Sequence, residues 1–204
     1  MRTALSILLV YLSFSYGQKS VYLSYTPGYY LHHSENDQPI TAANNYTDSG
    51  GLKAGFILPL KGFYHLELST GYQVASINDP VPGYPCKLSE VSVPVELKLL
   101  ITSVNMTGYG LGAVFVGTNH IFETQKPLGG TYRDVFNSRG LGVNGFIRYS
   151  WQIGSQTFLL TDFTGQYIRG ITYQGSDLNF SNYDYNYFEL KCAFGIGYRL
   201  QKSP

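Results

Sequence analysis

The sequence predicts an all-β fold, an eight-stranded antiparallel up-and-down transmembrane β-barrel, from three observations. Apolar and polar residues alternate with a period of two along most of the chain, whereas a helical period is nowhere convincing. Short and long connections alternate between these segments along the chain. Charged residues make up only 13% of the 204 residues, against roughly 25% in ordinary soluble domains.

Each alternating segment is long enough to form a strand. The eight segments are residues 19–31, 51–60, 63–77, 88–101, 105–118, 139–151, 156–173 and 185–200. Eight strands form the smallest usual membrane barrel, and 204 residues suffice for one such domain. Beyond the N-terminus, no run approaches the roughly 20 apolar residues that a spanning helix needs.

The N-terminus has the features of a secretory signal peptide. Met1 and Arg2 are followed by the apolar stretch 4–12, and the small residue Gly17 precedes the polar Gln18. We therefore predict a signal peptide over residues 1–17 and the barrel over residues 18–204. A buried N-terminal helix is the alternative. Without Arg2 the 14 basic residues become 13 and equal the 13 acidic ones, so the charge does not indicate nucleic acid as a partner.

The connections predict which end of the barrel carries the loops. Three are short, namely Lys61-Gly62, residues 102–104 and residues 152–155. Four are longer and polar, namely residues 34–50, 78–87, 119–138 and 174–184. Outer-membrane barrels have short periplasmic turns and longer outer loops. An even number of strands then places both termini in the periplasm.

The last segment shows how the two faces of the sheet differ. Phe194, Ile196 and Tyr198 lie on one apolar face, while Gly195 and Gly197 lie on the other face with charged residues. Glycine weakens an exposed strand, but inside a narrow barrel it leaves room for long polar side chains. The apolar face is therefore predicted to contact lipid. A soluble lipocalin-like barrel, with its apolar face around a ligand, is the alternative.

Aromatic residues lie near both ends of the predicted strands, where membrane barrels carry interfacial girdles. The predicted girdle near the short turns consists of Tyr64, Tyr149, Trp151 and Tyr198, and the one near the other end includes Tyr25, Tyr72 and Tyr167. Strand propensity alone would explain the number of these residues but not their placement.

The inward face is predicted to hold charged side chains that pair with one another. Eight strands leave a lumen only wide enough for side chains, so buried charges must pair across it. The predicted salt-bridge network comprises Glu67, Glu96, Lys98, Arg148, Asp162, Glu189, Lys191 and Arg199. Parity places Lys53, His65 and Glu90 on the same face. A network that fills the lumen is expected, and an ion path is the alternative.

Three stretches carry a family resemblance: VSVPVELKLL at 91–100, GLGVNGFIRYSW at 140–151 and FGIGYRL at 194–200. With them the chain resembles the outer-membrane β-barrel domain family of Bacteroidetes-type bacteria, the PorT-like or OmpX-like small barrels. The resemblance covers most of the predicted barrel. It implies a location in the bacterial outer membrane, insertion by the barrel assembly machinery, outer-membrane lipid as a partner, and for most members no defined activity.

Catalysis is not expected from the sequence. The segment His32-His33-Ser34 has a histidine two residues from a hydroxyl, a spacing found in lipid A deacylating barrels, with Glu35 or Asp37 as the local carboxylate. A turn at a strand end explains this segment more simply, so an outer-membrane lipid-modifying enzyme is the less favoured alternative. His65 is expected in the lumen and His120 in a loop. Neither has a partner at a metal-ligand spacing, so no metal or cofactor is predicted.

The long connections are rich in Asn, Asp, Tyr, Gly and Ser, a composition suited to the recognition of surface proteins or glycans. Plain solvated loops have the same composition. The expected role is therefore structural or one of surface interaction, by adhesion or recognition. Cys86 and Cys192 could form a disulfide in an oxidising compartment or remain free.

Overall fold

The chain folds into one closed antiparallel sheet. The structure, a computed structural model, describes residues 19–29, 46–78, 86–102, 107–125, 129–174 and 186–200. The strands are β1 Ser20–Tyr29, β2 Tyr46–Pro59, β3 Tyr64–Asn78, β4 Cys86–Thr102, β5 Thr107–Gln125, β6 Thr131–Gln152, β7 Thr157–Gln174 and β8 Asn186–Arg199. Each strand pairs with its neighbours in sequence, and β1 also pairs with β8, which closes the barrel. The predicted fold class is confirmed.

Short connections lie at the end of the barrel that also holds Lys19 and Leu200. Residues 60–63, 103–106 and 153–156 connect β2 to β3, β4 to β5 and β6 to β7. In the first of these, Gly62 has a φ of 67°, a left-handed conformation that favours glycine. The Leu200 amide donates to the Lys19 carbonyl at 2.7 Å, which joins the two ends of the described chain. No helix in the described ranges is long and apolar enough to cross a membrane.

The connection between β5 and β6 differs from the prediction. Residues 119–138 were predicted to form a loop, but the two strands continue through most of that stretch and leave only residues 126–130 between them. Their pairing runs without interruption from Thr107 opposite Tyr149 to Gln125 opposite Thr131. The apolar alternation weakens in this stretch, whereas backbone hydrogen bonding between strands does not depend on which side chains are present. This side of the barrel is therefore taller.

The apolar face points outward and the polar face inward. Leu111 and Val143 on the outer face are 73% and 63% exposed, while Glu67 and Lys98 on the inner face are fully buried. A soluble barrel would have the opposite arrangement, with an apolar interior. The exterior therefore requires an apolar surrounding, as a transmembrane barrel has.

Inward glycines allow long side chains to fill the lumen. Gly112 lies opposite Lys98 in the register of β4 and β5. A Cβ added at Gly112 would lie 2.6 Å from Asn144 Oδ1 and 2.7 Å from Lys98 Cγ, closer than real Cβ atoms come to other heavy atoms. The lysine and the asparagine therefore occupy space that a side chain at position 112 would need.

Candidate functional site

The arginine at the centre of the lumen holds two carboxylates. Arg148 Nε and Nη2 each donate to a carboxylate oxygen of Asp162 at 2.6 Å, and Nη1 donates to Glu67 Oε2 at 2.5 Å. All three side chains are nearly fully buried. Such two-pronged contacts between a guanidinium and a carboxylate fix geometry as well as charge. Arg148 therefore connects β3 to β6 and β7 across the lumen.

Two lysines complete this group of charges. Lys98 Nζ lies 2.6 Å from Glu96 and 3.9 Å from Glu67. Lys53 Nζ lies 3.6 Å from Glu96 and 3.9 Å from Asp162. We name this set the luminal cluster: Lys53, Glu67, Glu96, Lys98, Arg148 and Asp162. Its three basic and three acidic groups sum to zero charge, which is the condition for burying ions with little water.

Strand register and two aromatic rings position the luminal cluster. Glu67 lies directly opposite Lys98, and Arg148 directly opposite Asp162, in their strand pairs. The hydroxyl of Tyr22 donates to Glu67 Oε1 at 2.6 Å. The guanidinium of Arg148 lies 5.0 Å from the centre of the Tyr22 ring, and Lys98 Nζ lies 4.8 Å from that of Phe146. The rings therefore enclose the cations as well as filling space.

The other predicted network residues lie outside the luminal cluster. Glu189 pairs with Lys191 at 2.6 Å and accepts a hydrogen bond from Gln166. Lys191 also donates to Gln73 Oε1 at 3.2 Å. Arg199 lies at the short-turn end, where it is half-buried and donates to Gln152 Oε1 at 3.3 Å. The structure thus brings together five of the eight predicted residues and adds Lys53 to them.

The prediction that His120 lies in a loop is wrong, because it is buried on the inner face of β5. Its Nδ1 lies 3.0 Å from Glu90 Oε1, and its Nε2 lies 2.7 Å from Ser138 Oγ. The ring stacks on Phe136 with 4.5 Å between centroids. The predicted strand ends at residue 118. Extended by two residues, it would place His120 on the inward face with Val116 and Thr118. We name Glu90, His120, Ser138 and Phe136 the upper ladder.

The predicted girdle tyrosines and the single tryptophan lie on the outer face. All seven residues, Tyr25, Tyr64, Tyr72, Tyr149, Trp151, Tyr167 and Tyr198, are more than a third exposed. Near the short turns, Tyr149 stacks on Trp151, and the Tyr198 hydroxyl donates to Gln156. Tyr64, Tyr149, Trp151 and Tyr198 thus lie at the short-turn edge of the exposed apolar face. Tyr72 lies within that face, because Val74 beyond it is also exposed.

Several predictions concern residues that the structure does not describe. The signal peptide, the segment His32-His33-Ser34 with Glu35 and Asp37, and most of the long connections lie outside the described ranges. Of the remaining candidates, half-buried His65 contacts the Phe63 carbonyl through Nδ1 at 3.2 Å. Cys86 and Cys192 are not joined by a disulfide. No group of three potential metal ligands is found in the part of the chain that the structure describes.

The lumen therefore has the chemistry of a filled interior. The luminal cluster is buried and charge-balanced, and each of its ions lies within 4 Å of an opposite charge. An ion crossing the barrel would have to break these pairs in a medium where separated charges are costly. Eight-stranded barrels have an interior just wide enough for side chains.

Comparisons with known proteins find a similar fold but no match to a family model or to a curated sequence. The chain is similar to a major outer membrane protein from Thermus thermophilus, with a TM-score of 0.56 and 12% identity over 91% of this chain and 100% of that one. It is also similar to Ail, the attachment invasion locus protein of Yersinia pestis, with a TM-score of 0.51 and 10% identity over 90% and 99%. The chain thus has the fold of small outer-membrane β-barrels.

Proposed function

We propose that the chain is a small bacterial outer-membrane protein whose filled barrel is a scaffold for the loops at its taller end. The observation that carries the proposal is the buried, charge-balanced luminal cluster, which leaves the loops and the outer face as the functional surfaces. The role is structural or one of surface interaction with proteins or glycans. Reconstituted into planar bilayers, the folded protein should give no stable current steps. Regular steps would favour an ion path instead.

The proposed orientation places the short turns and both termini in the periplasm. The exposed apolar band between aromatic rings supports insertion in a bilayer, and the short connections at one end support this orientation. The three stretches at 91–100, 140–151 and 194–200 support membership of the PorT-like or OmpX-like barrels of Bacteroidetes-type bacteria, with insertion by the barrel assembly machinery. Cell fractionation tests the location, and recovery in the soluble periplasm would refute it.

The composition of the long connections supports a recognition role. Residues 34–45 contain three Asn, and residues 175–185 contain two each of Asn, Asp, Ser and Tyr. Asn and Ser give adaptable hydrogen bonds, and Tyr gives rigid contact area. A protein of the same fold, Ail, is named for attachment and was crystallised with a heparin analogue. Replacing 34–45 or 175–185 by Gly-Ser linkers should abolish binding of cells to glycan or protein surfaces. The same replacement at 103–106, at the opposite end, should not.

A second candidate function is acyl hydrolysis, which the upper ladder favours. Ser138, His120 and Glu90 have the connectivity of a nucleophile, its general base and the carboxylate that orients the base. The serine is only 8% exposed, and therefore the non-enzymatic role is preferred. A fluorophosphonate probe decides between them. Labelling of the folded protein that Ser138→Ala removes would support the hydrolase, and no labelling would support the scaffold.

A further inference from the structure

The outward-facing ionisable residues are almost all basic. Among the side chains that the structure describes, the basic residues exposed on the outer face or at its ends are Lys19, Lys61, Lys87, Arg133, Arg139 and Arg169. Among the same described side chains, Glu123 is the acidic residue on that face. Arg133 Nε lies 3.6 Å from its carboxylate, and Lys87 lies opposite it in register. The outer face therefore carries positive charge that acidic residues of the described chain do not balance.

Arg139 and Arg169 form the part of this charge that has no acidic neighbour among the described side chains. Both are exposed, and neither forms an ion pair with another described residue. Leu141 lies directly opposite Arg169 in the pairing of β6 and β7. Arg139 precedes Leu141 by two residues on the same face, next to a shift in the register at Arg139 and Gly140. The two guanidinium groups thus extend from adjacent strands. We name them the arginine pair.

The arginine pair lies at the edge of the apolar band. Tyr167 lies two residues from Arg169 on the side of the short turns and is 39% exposed. Leu141, directly opposite Arg169, is 53% exposed. Tyrosine is enriched at the boundary between hydrocarbon and headgroups. Arginine at such a boundary can reach the phosphates while its methylene groups remain on the apolar surface. The arginine pair is therefore at the depth of lipid headgroups.

An apolar groove runs along the same strands below the arginine pair. Gly145 of β6 lies opposite Gly165 of β7, and both face outward. Without side chains at these positions, the surface has a groove of about 510 Å³, bordered by Ile147, Phe163 and Leu190. Gly165 precedes Arg169 by four residues on one strand, about 13 Å at the usual rise per residue. That distance lies within the length of an acyl chain.

We propose that the outer face of β6, β7 and β8 binds one anionic lipid of the surrounding leaflet, with a headgroup phosphate on the arginine pair and one acyl chain in the groove between Gly145 and Gly165. Arginine binds phosphate through paired hydrogen bonds, and the groove faces the hydrocarbon in which acyl chains are the available occupant. The inference deepens the proposed function, because it rests on the barrel lying in a membrane and names a lipid that the barrel binds.

Native mass spectrometry in detergent micelles tests the headgroup contact. The folded protein is titrated with phosphatidylglycerol or with phosphatidylcholine of the same acyl chains, whose phosphate is neutralised by choline. The wild type should retain one phosphatidylglycerol in preference. Arg139→Gln and Arg169→Gln should each weaken its binding about fivefold, and the double variant about thirtyfold. Lys19→Gln with Lys61→Gln, which removes two charges at the opposite end, should leave the affinity unchanged.

The groove is tested separately with the same titration. Gly165→Leu fills the groove without a close contact, because an added Cβ lies 3.5 Å from its nearest neighbour, and it should weaken binding of both lipids. Ala54→Leu is the control, since Ala54 is exposed on the outer face of β2, away from β6, β7 and β8. Equal loss in the double lysine variant, unchanged binding in the arginine variants, or unchanged binding in Gly165→Leu would overturn the proposal. Recovery of the protein in a soluble fraction would instead refute the membrane location on which it rests.

Discussion

Replacing Arg148 by methionine tests whether the luminal cluster stabilises the barrel. The arginine makes three hydrogen bonds of 2.5 to 2.6 Å to Asp162 and Glu67, and all three side chains are nearly fully buried. Without it, the luminal cluster holds two basic and three acidic groups, a net charge of −1. Removing one partner of a buried ion pair typically costs about 3 to 5 kcal/mol, because the other partner remains buried and unpaired. We expect a loss of that size in the free energy of unfolding.

Urea titration in detergent micelles, followed by the mobility of unheated samples on gels, measures this loss. Arg199→Met is the matched control, because it removes the same side chain from the same lumen at a half-buried position, and it should cost less than about 1 kcal/mol. Arg148→Met combined with Glu67→Gln restores two basic and two acidic groups and should recover at least about 1 kcal/mol. If both arginine variants unfold at the same urea concentration, the luminal cluster does not determine stability.

Three further outcomes are expected. Gly55→Ala should destabilise the barrel by about 1 to 3 kcal/mol, because its methyl group would overlap the buried ring of Tyr22. The control Gly117→Ala should change the urea midpoint little, and equal midpoints for the two variants would contradict the packing around Gly55. A thiol assay on protein unfolded without reductant should find two reactive groups, Cys86 and Cys192, and in the folded protein only the half-exposed Cys192 should react with a lipid-soluble maleimide. The fluorescence of Trp151 should be quenched more by lipids brominated near the headgroup than by lipids brominated near the chain end; the reverse order would remove it from the interface.

The strand number, the closure and the direction of each face could be predicted because they depend on local periodicity. A residue's parity within a strand decides whether it faces lipid or lumen, and the glycines on one parity indicate which face is crowded. The strand ends near Asn119 and Ser138 could not be predicted in the same way. Hydrophobic alternation marks the membrane-spanning part of a strand, while the hydrogen-bonded ladder extends further.

Parity also predicts which charges face the lumen, but not which of them pair. The pairing depends on register, which brings Glu67 opposite Lys98 and Arg148 opposite Asp162. It also depends on depth, which separates Arg199 at the short-turn end from the carboxylates in the middle of the barrel. The upper ladder was missed for a related reason. Whether His120 faces lumen or solvent can be predicted only when β5 is known to continue through its polar stretch.

The distribution of charge between the two faces follows from the surroundings of each face. A net charge inside a narrow barrel would be surrounded by hydrocarbon beyond a single layer of backbone, so the luminal cluster has to be neutral. The outer face is under no such constraint beyond the apolar band, and there an excess of basic residues is favourable if the neighbouring headgroups are anionic. The upper ladder extends the filled interior above that level, because His120 and Phe136 stack across β5 and β6. For a partner that approaches the taller end, we therefore expect the binding surface to be the long connections and the exposed basic residues near them, such as Arg139 and Arg169.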